Sequence, residues 1–340
     1  MSTIQETVAK TDAAAVDAPP KKSMALGRTT SLVMLVALLL IPLFVKNFII
    51  FQLTMLLIYG IAVLALNILT GGSGQFSLGQ SAFYAIGAYA AAILIEHGNV
   101  NYVLTLPIAG IICFAIGFLF GFPALRLSGV YLALATFALA VAMPQLLKLG
   151  VFEPWTGGVQ GLVVTKPDAP FGLPISQDMW LYYFTLVVAL VIYIASVNLL
   201  RSRSGRAMMA IRDNEIAASA MGVDISMYKT LAFGVSAGIT GVAGALGAIA
   251  VQFVAPDSYT FQLAIALFLG MVVGGVGWLP GSLAGAAFIV FVPNIAEGIS
   301  KGLSGAFFGV LLFLVIYLVP HGARQGAIYA ETLLHKLRRS

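Results

Sequence analysis

The feature that most constrains this sequence is a series of apolar runs, each about as long as a bilayer is thick. Residues 48–69 (FIIFQLTMLLIYGIAVLALNIL) hold no charged side chain, and comparable runs recur along the chain. A helix needs about 20 mostly apolar residues to cross the hydrocarbon core, whereas a closed barrel shows ten-residue stretches of alternating polarity. Unbroken runs fit helices. Their edges read 30–45, 48–69, 75–95, 103–121, 129–149, 180–200, 229–252, 261–276, 281–297 and 303–320. The expected fold class is therefore all-α, a polytopic transmembrane helical bundle of about ten spans. Composition agrees, with 60% hydrophobic and 9% charged residues, against about 25% charge in soluble domains. Cys113 sits in an apolar run, Ile111-Ile112-Cys113-Phe114, and reads as a small core or lipid-facing residue with no redox role.

Charge placement supplies an orientation. With the N-terminus inside, fourteen of the 18 basic residues fall on interior segments, and only Lys46, Lys148, Lys166 and Lys301 fall outside. This follows the positive-inside rule, and ten spans with both termini cytoplasmic satisfy it. Residues 1–28 read as a disordered cytoplasmic tail, 29–322 as the membrane domain, and 323–340 as a basic cytoplasmic tail. No small-x-small cleavage site follows the run 30–45, so that run is read as a retained span.

All 13 acidic residues, all the basic ones and His97, His321 and His335 lie in loops, tails or span ends. Ionisable groups survive in a bilayer where they relay protons or hold ions, at a cost of several kcal/mol. Their absence argues against a proton-driven carrier, an ion pump or a voltage sensor. No Gly-rich stretch ends in Gly-Lys-Ser or Gly-Lys-Thr, no His/Cys metal cluster exists, and no catalytic Ser/His/Asp set is visible. The expectation is a chain that is not an enzyme and binds no cofactor. Energy for uphill transport must then arrive from another chain.

The place for such a delivery is the long interior loop 201–229, RSRSGRAMMAIRDNEIAASAMGVDISMYK. Its pattern predicts two short helices, the first over Ala207, Met208, Ala210 and Ile211. Asp213 is positioned to cap the second, Glu215 suits its positive N-terminal end, and Gly222 suits its C-terminus. Small and apolar residues on a helix let a partner approach closely, while five basic residues also suit an interfacial helix on anionic lipid. Composition alone leaves both readings open.

The run from Gly205, Arg206 and Ala207 through Ile211, Arg212 and Glu215 to Ala217 and Gly222 closely resembles a known segment. It is the cytoplasmic coupling segment of the branched-chain amino acid ABC transporter permeases of the LivM type. TGGSGQFSLGQSAFYAIGAY at 70–89, PALRLSGVYLALATFALA at 123–140, TGGVQGL at 156–162 and GGVGWLPGSLAGA at 274–286 are collinear with the same family pattern. The resemblance covers about 30–325. It implies an ABC importer permease fold and a subunit that imports branched-chain or related amino acids. It further implies a homologous second permease (LivH-like), two cytosolic ATPases that use ATP, a periplasmic binding protein and a bacterial inner membrane, with no nucleic acid involved. By the same resemblance, Gly205, Arg206, Ala207, Ile211, Arg212, Glu215, Ala217 and Gly222 match the segment that docks into the ATPase.

Two glycine-rich stretches interrupt the spans. Gly71, Gly72, Gly74 and Gly79 permit a broken helix between spans 2 and 3, with Gln75, Ser77 and Gln80 adding uncharged hydrogen-bonding groups. They read either as a wall of the translocation path or as close packing through small residues. Residues 270–285 suggest a re-entrant turn or hairpin. Glycines at 238, 241, 244 and 247 place small residues on a broad face of span 7, which suits tight packing. Outside, residues 150–179 form the one sizeable loop, and Glu153, Trp155, Gly157, Gly158 and Gly161 suggest that it is ordered. A urea or short-chain amide permease shares these motifs and stays open as an alternative. An ion-independent facilitator or channel fits the uncharged spans and leaves loop 201–229 without a role.

Overall fold

The computed structural model describes residues 38–43, 45–124, 129–169, 175–299 and 309. Contacts divide the chain into Met1–Val45 and Lys46–Ser340. In the first unit, residues 38–40 are helical and lead into a 3-10 turn over Ile41–Leu43. The expected tails 1–28 and 323–340, Arg126, and the expected span 303–320 apart from Gly309 lie outside the described residues.

The described part of the second unit is helical almost throughout. In chain order it contains α1 (Asn47–Asn67), α2 (Gln80–Glu96), α3 (Tyr102–Ala124) and α4 (Val130–Leu147). Strand β1 (Leu162–Val163) and helices α5 (Gln177–Arg201), α6 (Arg203–Asp213), α7 (Glu215–Ala220) and α8 (Ile225–Val251) follow. Strand β2 (Phe253–Val254), α9 (Phe261–Gly274) and α10 (Gly281–Ile299) complete the described part. The strands pair antiparallel, with Leu162 opposite Val254.

Six segments are long and apolar enough to cross a membrane: Asn47–Gly72, Tyr102–Pro123, Val130–Leu147, Gln177–Arg201, Ile225–Val251 and Pro256–Gly274, while the apolar helix Gly281–Ile295 is shorter. The expected count of ten is thus six among the described residues. Most of 30–45 and all of 303–320 but Gly309 lie outside the described residues, and the helices in 75–95 and 281–297 fall short of the length; the bounds at 75–80 and 274–281 have a backbone cause. Residues 75–79 are not helical, with Gly74 at φ 73°, so α2 starts at Gln80 and not at 75 and has 17 residues. Likewise α9 stops at Gly274, because Gly275 takes φ 100° and turns the chain into α10.

Burial separates core from periphery. In α1 and α8 the apolar window is 72% and 78% buried, against 17% in α5 and 22% in α4. The α8 helix packs along α3 and α2, and its glycines make that approach possible. A side chain at Gly87 would run into the Gly241 backbone, and Gly238 and Gly241 face the Gly110–Phe114 stretch of α3. The small-residue face read from the sequence is this contact. Cys113 is buried in it, its Sγ 3.4 Å from the Phe83 carbonyl. The outward faces of α3, α4 and α5 carry exposed Ile111, Leu119, Leu134, Val187 and Val191. Such a belt suits hydrocarbon as its solvent.

Contacts sort the helix ends into two groups. At one end, β1 meets β2, Trp155 lies against His97, and Lys148 pairs with Asp257 at 2.6 Å. The loop at 150–169 is ordered there, as its composition suggested, with Gly157, Gly158 and Gly161 all at positive φ. The opposite end gathers the α1–α2 connection, the α9–α10 turn and helices α6 and α7.

Candidate functional site

The candidate site lies at this second end and is built from the chain's two glycine-rich breaks and the segment 202–224. The C-terminus of α1 does not stop cleanly: it widens into a π turn over Ile68–Gly72. Helix ends leave carbonyls without intrahelical partners, and each needs one. Here Ser73 Oγ donates to the Leu69 carbonyl at 2.8 Å and the Gly74 N–H to the Thr70 carbonyl at 3.1 Å. The Gly71 carbonyl is reached from elsewhere in the chain: Arg212 Nη1 donates to it at 2.6 Å. A cation at a helix C-terminus also complements the negative end of the helix dipole.

Asn67, an amide in the last turn of an apolar span, ties in the second break. Its Nδ2 donates to the Gly275 and Trp278 carbonyls, both at 3.2 Å, and its Oδ1 accepts from the Gly277 N–H at 2.6 Å. The α9–α10 turn is thereby fastened to the end of α1. Gly71 makes the approach possible, since a side chain there would strike the Gly277 backbone.

The remaining polar residues of the break are buried and bonded within the chain. Gln75 Nε2 donates to Ser73 Oγ at 2.9 Å and to the Lys229 carbonyl at 3.0 Å. Ser77 Oγ accepts from the Gly79 N–H, and Leu78 N–H donates to Thr136 Oγ1. Gln80 Nε2 donates to Ser236 Oγ at 2.8 Å, Ser236 Oγ donates to the Ala65 carbonyl, and Thr240 Oγ1 donates to Gln80 Oε1 at 2.7 Å. Gly72 and Gly79 are buried, while Gly74 is exposed beside Arg212. In this conformation the side chains of Gln75 and Gln80 are engaged in joining α1, α2 and α8.

Segment 202–224 folds as two short helices, as its pattern predicts. Ser202 Oγ caps α6 by accepting from the Gly205 N–H, and Gly205 is buried where a side chain would meet the Leu199 and Leu200 carbonyls. Met208 and Ile211 of α6 are buried, at 0% and 1% exposure, and Met208 joins a cluster with Leu69, Phe83 and Phe233. The cap of α7 is a correction to the sequence reading: Asn214 Oδ1, and not Asp213, accepts from the Ala217 N–H. Asp213 is the last residue of α6 and pairs with Arg212. The backbone explains the shift, because Asn214 has the extended conformation that a cap requires and Asp213 is still helical. Gly222 ends α7 at φ 82°, with Val223 N–H bonded to the Ala218 carbonyl, as expected of a glycine C-cap.

The eight residues matched to the docking segment therefore part company. Gly205 and Ile211 are buried, Ala207 is half-buried, and Arg206 is exposed and donates to the Arg201 carbonyl. Arg212 reaches inward, and Glu215 bonds Lys229 Nζ of α8 at 2.6 Å. Ala217 and Gly222 are exposed. Beside them stand Ile216 of α7 and Met221 just past its end, 82% and 85% exposed, the most open large apolar side chains of the segment 202–224. Sequence reasoning passed over Ile216, because its direction follows from the cap at Asn214. It also passed over Asn67, whose signal was an amide alone in an apolar run. Among the described residues no group of three or more His, Cys, Asp or Glu is placed to hold a metal ion.

The family model for the permease component of the branched-chain amino acid transport system matches residues 48–319. The chain belongs to this family. Among characterised relatives, the high-affinity branched-chain amino acid transport system permease protein LivM of Salmonella typhimurium is 33% identical over 287 residues, 78% of this chain and 67% of that protein. LivM of Escherichia coli is 37% identical over 247 residues, covering 66% and 58%. The autoinducer 2 import system permease protein LsrC of Salmonella paratyphi B is 30% identical over 202 residues, or 56% of each chain. The chain thus spans about two thirds or less of these relatives' own length. No solved structure matches it significantly.

Proposed function

We propose that the chain is the membrane-spanning subunit of an ATP-driven importer for branched-chain or related amino acids in a bacterial inner membrane. A homologous second permease, two cytosolic ATPases and a periplasmic binding protein complete the assembly. ATP is bound by the ATPases and this chain carries no cofactor. Both termini are cytoplasmic in this reading, about ten spans cross the bilayer, and the end holding α6 and α7 faces the cytosol. The observation that carries it is the exposed apolar pair Ile216 and Met221 on a capped helix whose other contacts run into the membrane domain. Exposed apolar side chains beside small residues (Ala217, Ala220) offer a partner a surface it can desolvate.

Ile216→Asp combined with Met221→Asp tests this reading. Two carboxylates buried against the partner would weaken its hold about tenfold or more. The expected result is loss of ATPase co-purification and of uptake in proteoliposomes, with membrane insertion unchanged; retained co-purification and uptake would contradict it. Substrate class rests with the binding protein, so calorimetry of that partner against leucine, isoleucine, valine, short amides and urea separates the amino-acid reading from the amide one.

A further inference from the structure

We infer that Arg212 is a positioning residue that fastens the coupling segment to the broken end of α1, so that a push on α6 and α7 moves the 73–79 break and the α9–α10 turn with it. The inference rests on the coupling role proposed for α6 and α7. Within their sequence Arg212 reads as one more basic docking residue. Its guanidinium instead crosses to the membrane domain and donates to the Gly71 carbonyl at 2.6 Å, 141 residues away in sequence. The alkyl stem lies along Gly74, where a side chain would meet Arg212 Cγ at 3.0 Å. A bond from a charged donor to an otherwise unbonded helix-end carbonyl is stronger and more directional than a neutral one.

What makes this bond a link, and not only a local cap, is what lies on either side of it. Met208, buried on the same helix, anchors α6 to Leu69 and Phe83, and the adjacent Ile211 is buried as well. Beyond the Gly71 carbonyl, the Asn67 amide holds Gly275, Gly277 and Trp278. On the far side of the break, Gln75 grips the Lys229 carbonyl, and Lys229 in turn bonds Glu215 of α7. The break is thus held at two points, directly by Arg212 of α6 and by Lys229 of α8, to which Glu215 of α7 is bonded. Both breaks are places where the backbone has left regular helical geometry, so they yield to a push before a continuous helix does.

The test uses the whole importer in proteoliposomes, with uptake per ATP hydrolysed as the readout. Arg212→Gln removes the charge and the reach, and Arg212→Lys keeps a cationic donor. The expected result is that Arg212→Gln still assembles with the ATPases but moves at least tenfold less substrate per ATP, while Arg212→Lys stays within about threefold of the parent chain. A ratio within twofold for Arg212→Gln overturns the inference and leaves the docking reading standing. Loss of ATPase association in Arg212→Gln would make Arg212 a docking residue and overturn it as well. If the unmutated chain fails to associate, the proposed function itself falls. A variant that does not insert leaves a measurement on the parent sequence: spin labels at exposed positions 76 and 203 should keep their separation when nucleotide binds. A nucleotide-dependent change of more than about 5 Å, one helical turn, overturns the link.

Discussion

At the scale of single residues, the buried amides carry the most weight. Asn67 bonds three backbone groups of a turn more than 200 positions away, and among the described residues no other side chain bonds Gly275, Gly277 or Trp278. Leucine at this position would match its size and leave the Gly277 N–H unpaired, while the Gly275 and Trp278 carbonyls keep the bonds they accept from the Trp278 and Gly281 N–H groups. A buried donor without a partner costs about 1–3 kcal/mol. Asn67→Leu is therefore expected to lower unfolding stability by about 2 kcal/mol, read from denaturant titration in detergent, and to speed amide hydrogen exchange at 275–280. Unchanged exchange there would mean that the turn is held by other means. The residue scale is also where sequence reading was weakest. Gly71, Gln75 and Gln80 were recognisable as unusual, but their partners Arg212, Lys229 and Ser236 lie between 141 and 156 residues further on. No local pattern encodes such distances.

Among the elements, the runs that read as spans 2, 4, 5, 6 and 7 became α1, α3, α4, α5 and α8 with edges moved by a few residues, since burial in hydrocarbon asks only for length and apolarity. Legibility failed where glycine decided the backbone: at 73–79, which took the first turn from span 3, and at 275–280, which shortened span 8. The segment 202–224 was readable as two helices because its capping residues are local signals, and the error of one residue at the second cap came from two adjacent residues of equal capping ability. Helix α7 has six residues and cannot persist alone. Its cap matters accordingly: Asn214→Ala should remove about 1 kcal/mol of local stability. Exchange at 217–220 should accelerate while α8 stays protected. Equal protection in both would show that burial of Ala218 and the Glu215–Lys229 bond suffice to hold the helix.

For the whole molecule, the two ends of the bundle differ in how they are closed. One is tied by backbone bonds into breaks; the other is covered by an ordered loop in which β1 pairs with β2 and Lys166 pairs with Asp178. That loop presents exposed Trp155 and Val159 away from its paired edge. If the binding protein of the proposed assembly docks on this outer loop, substituting both by Glu should raise the concentration of loaded binding protein needed for half-maximal uptake severalfold, without touching the β1–β2 pairing. An unaltered concentration dependence would remove this loop from the contact with the binding protein. Close backbone contact between α8 and its neighbours α2 and α3 bears on what can move. Where Gly87 lies on Gly241, no flexible side chain stands between the chains to absorb sliding, and the Gln80–Ser236–Thr240 bonds resist rotation. The trio formed by the packed parts of these three helices is therefore expected to hold together as one unit. Any conformational cycle has to be carried by the parts hinged on it, and labels placed within the trio should report a constant geometry throughout turnover.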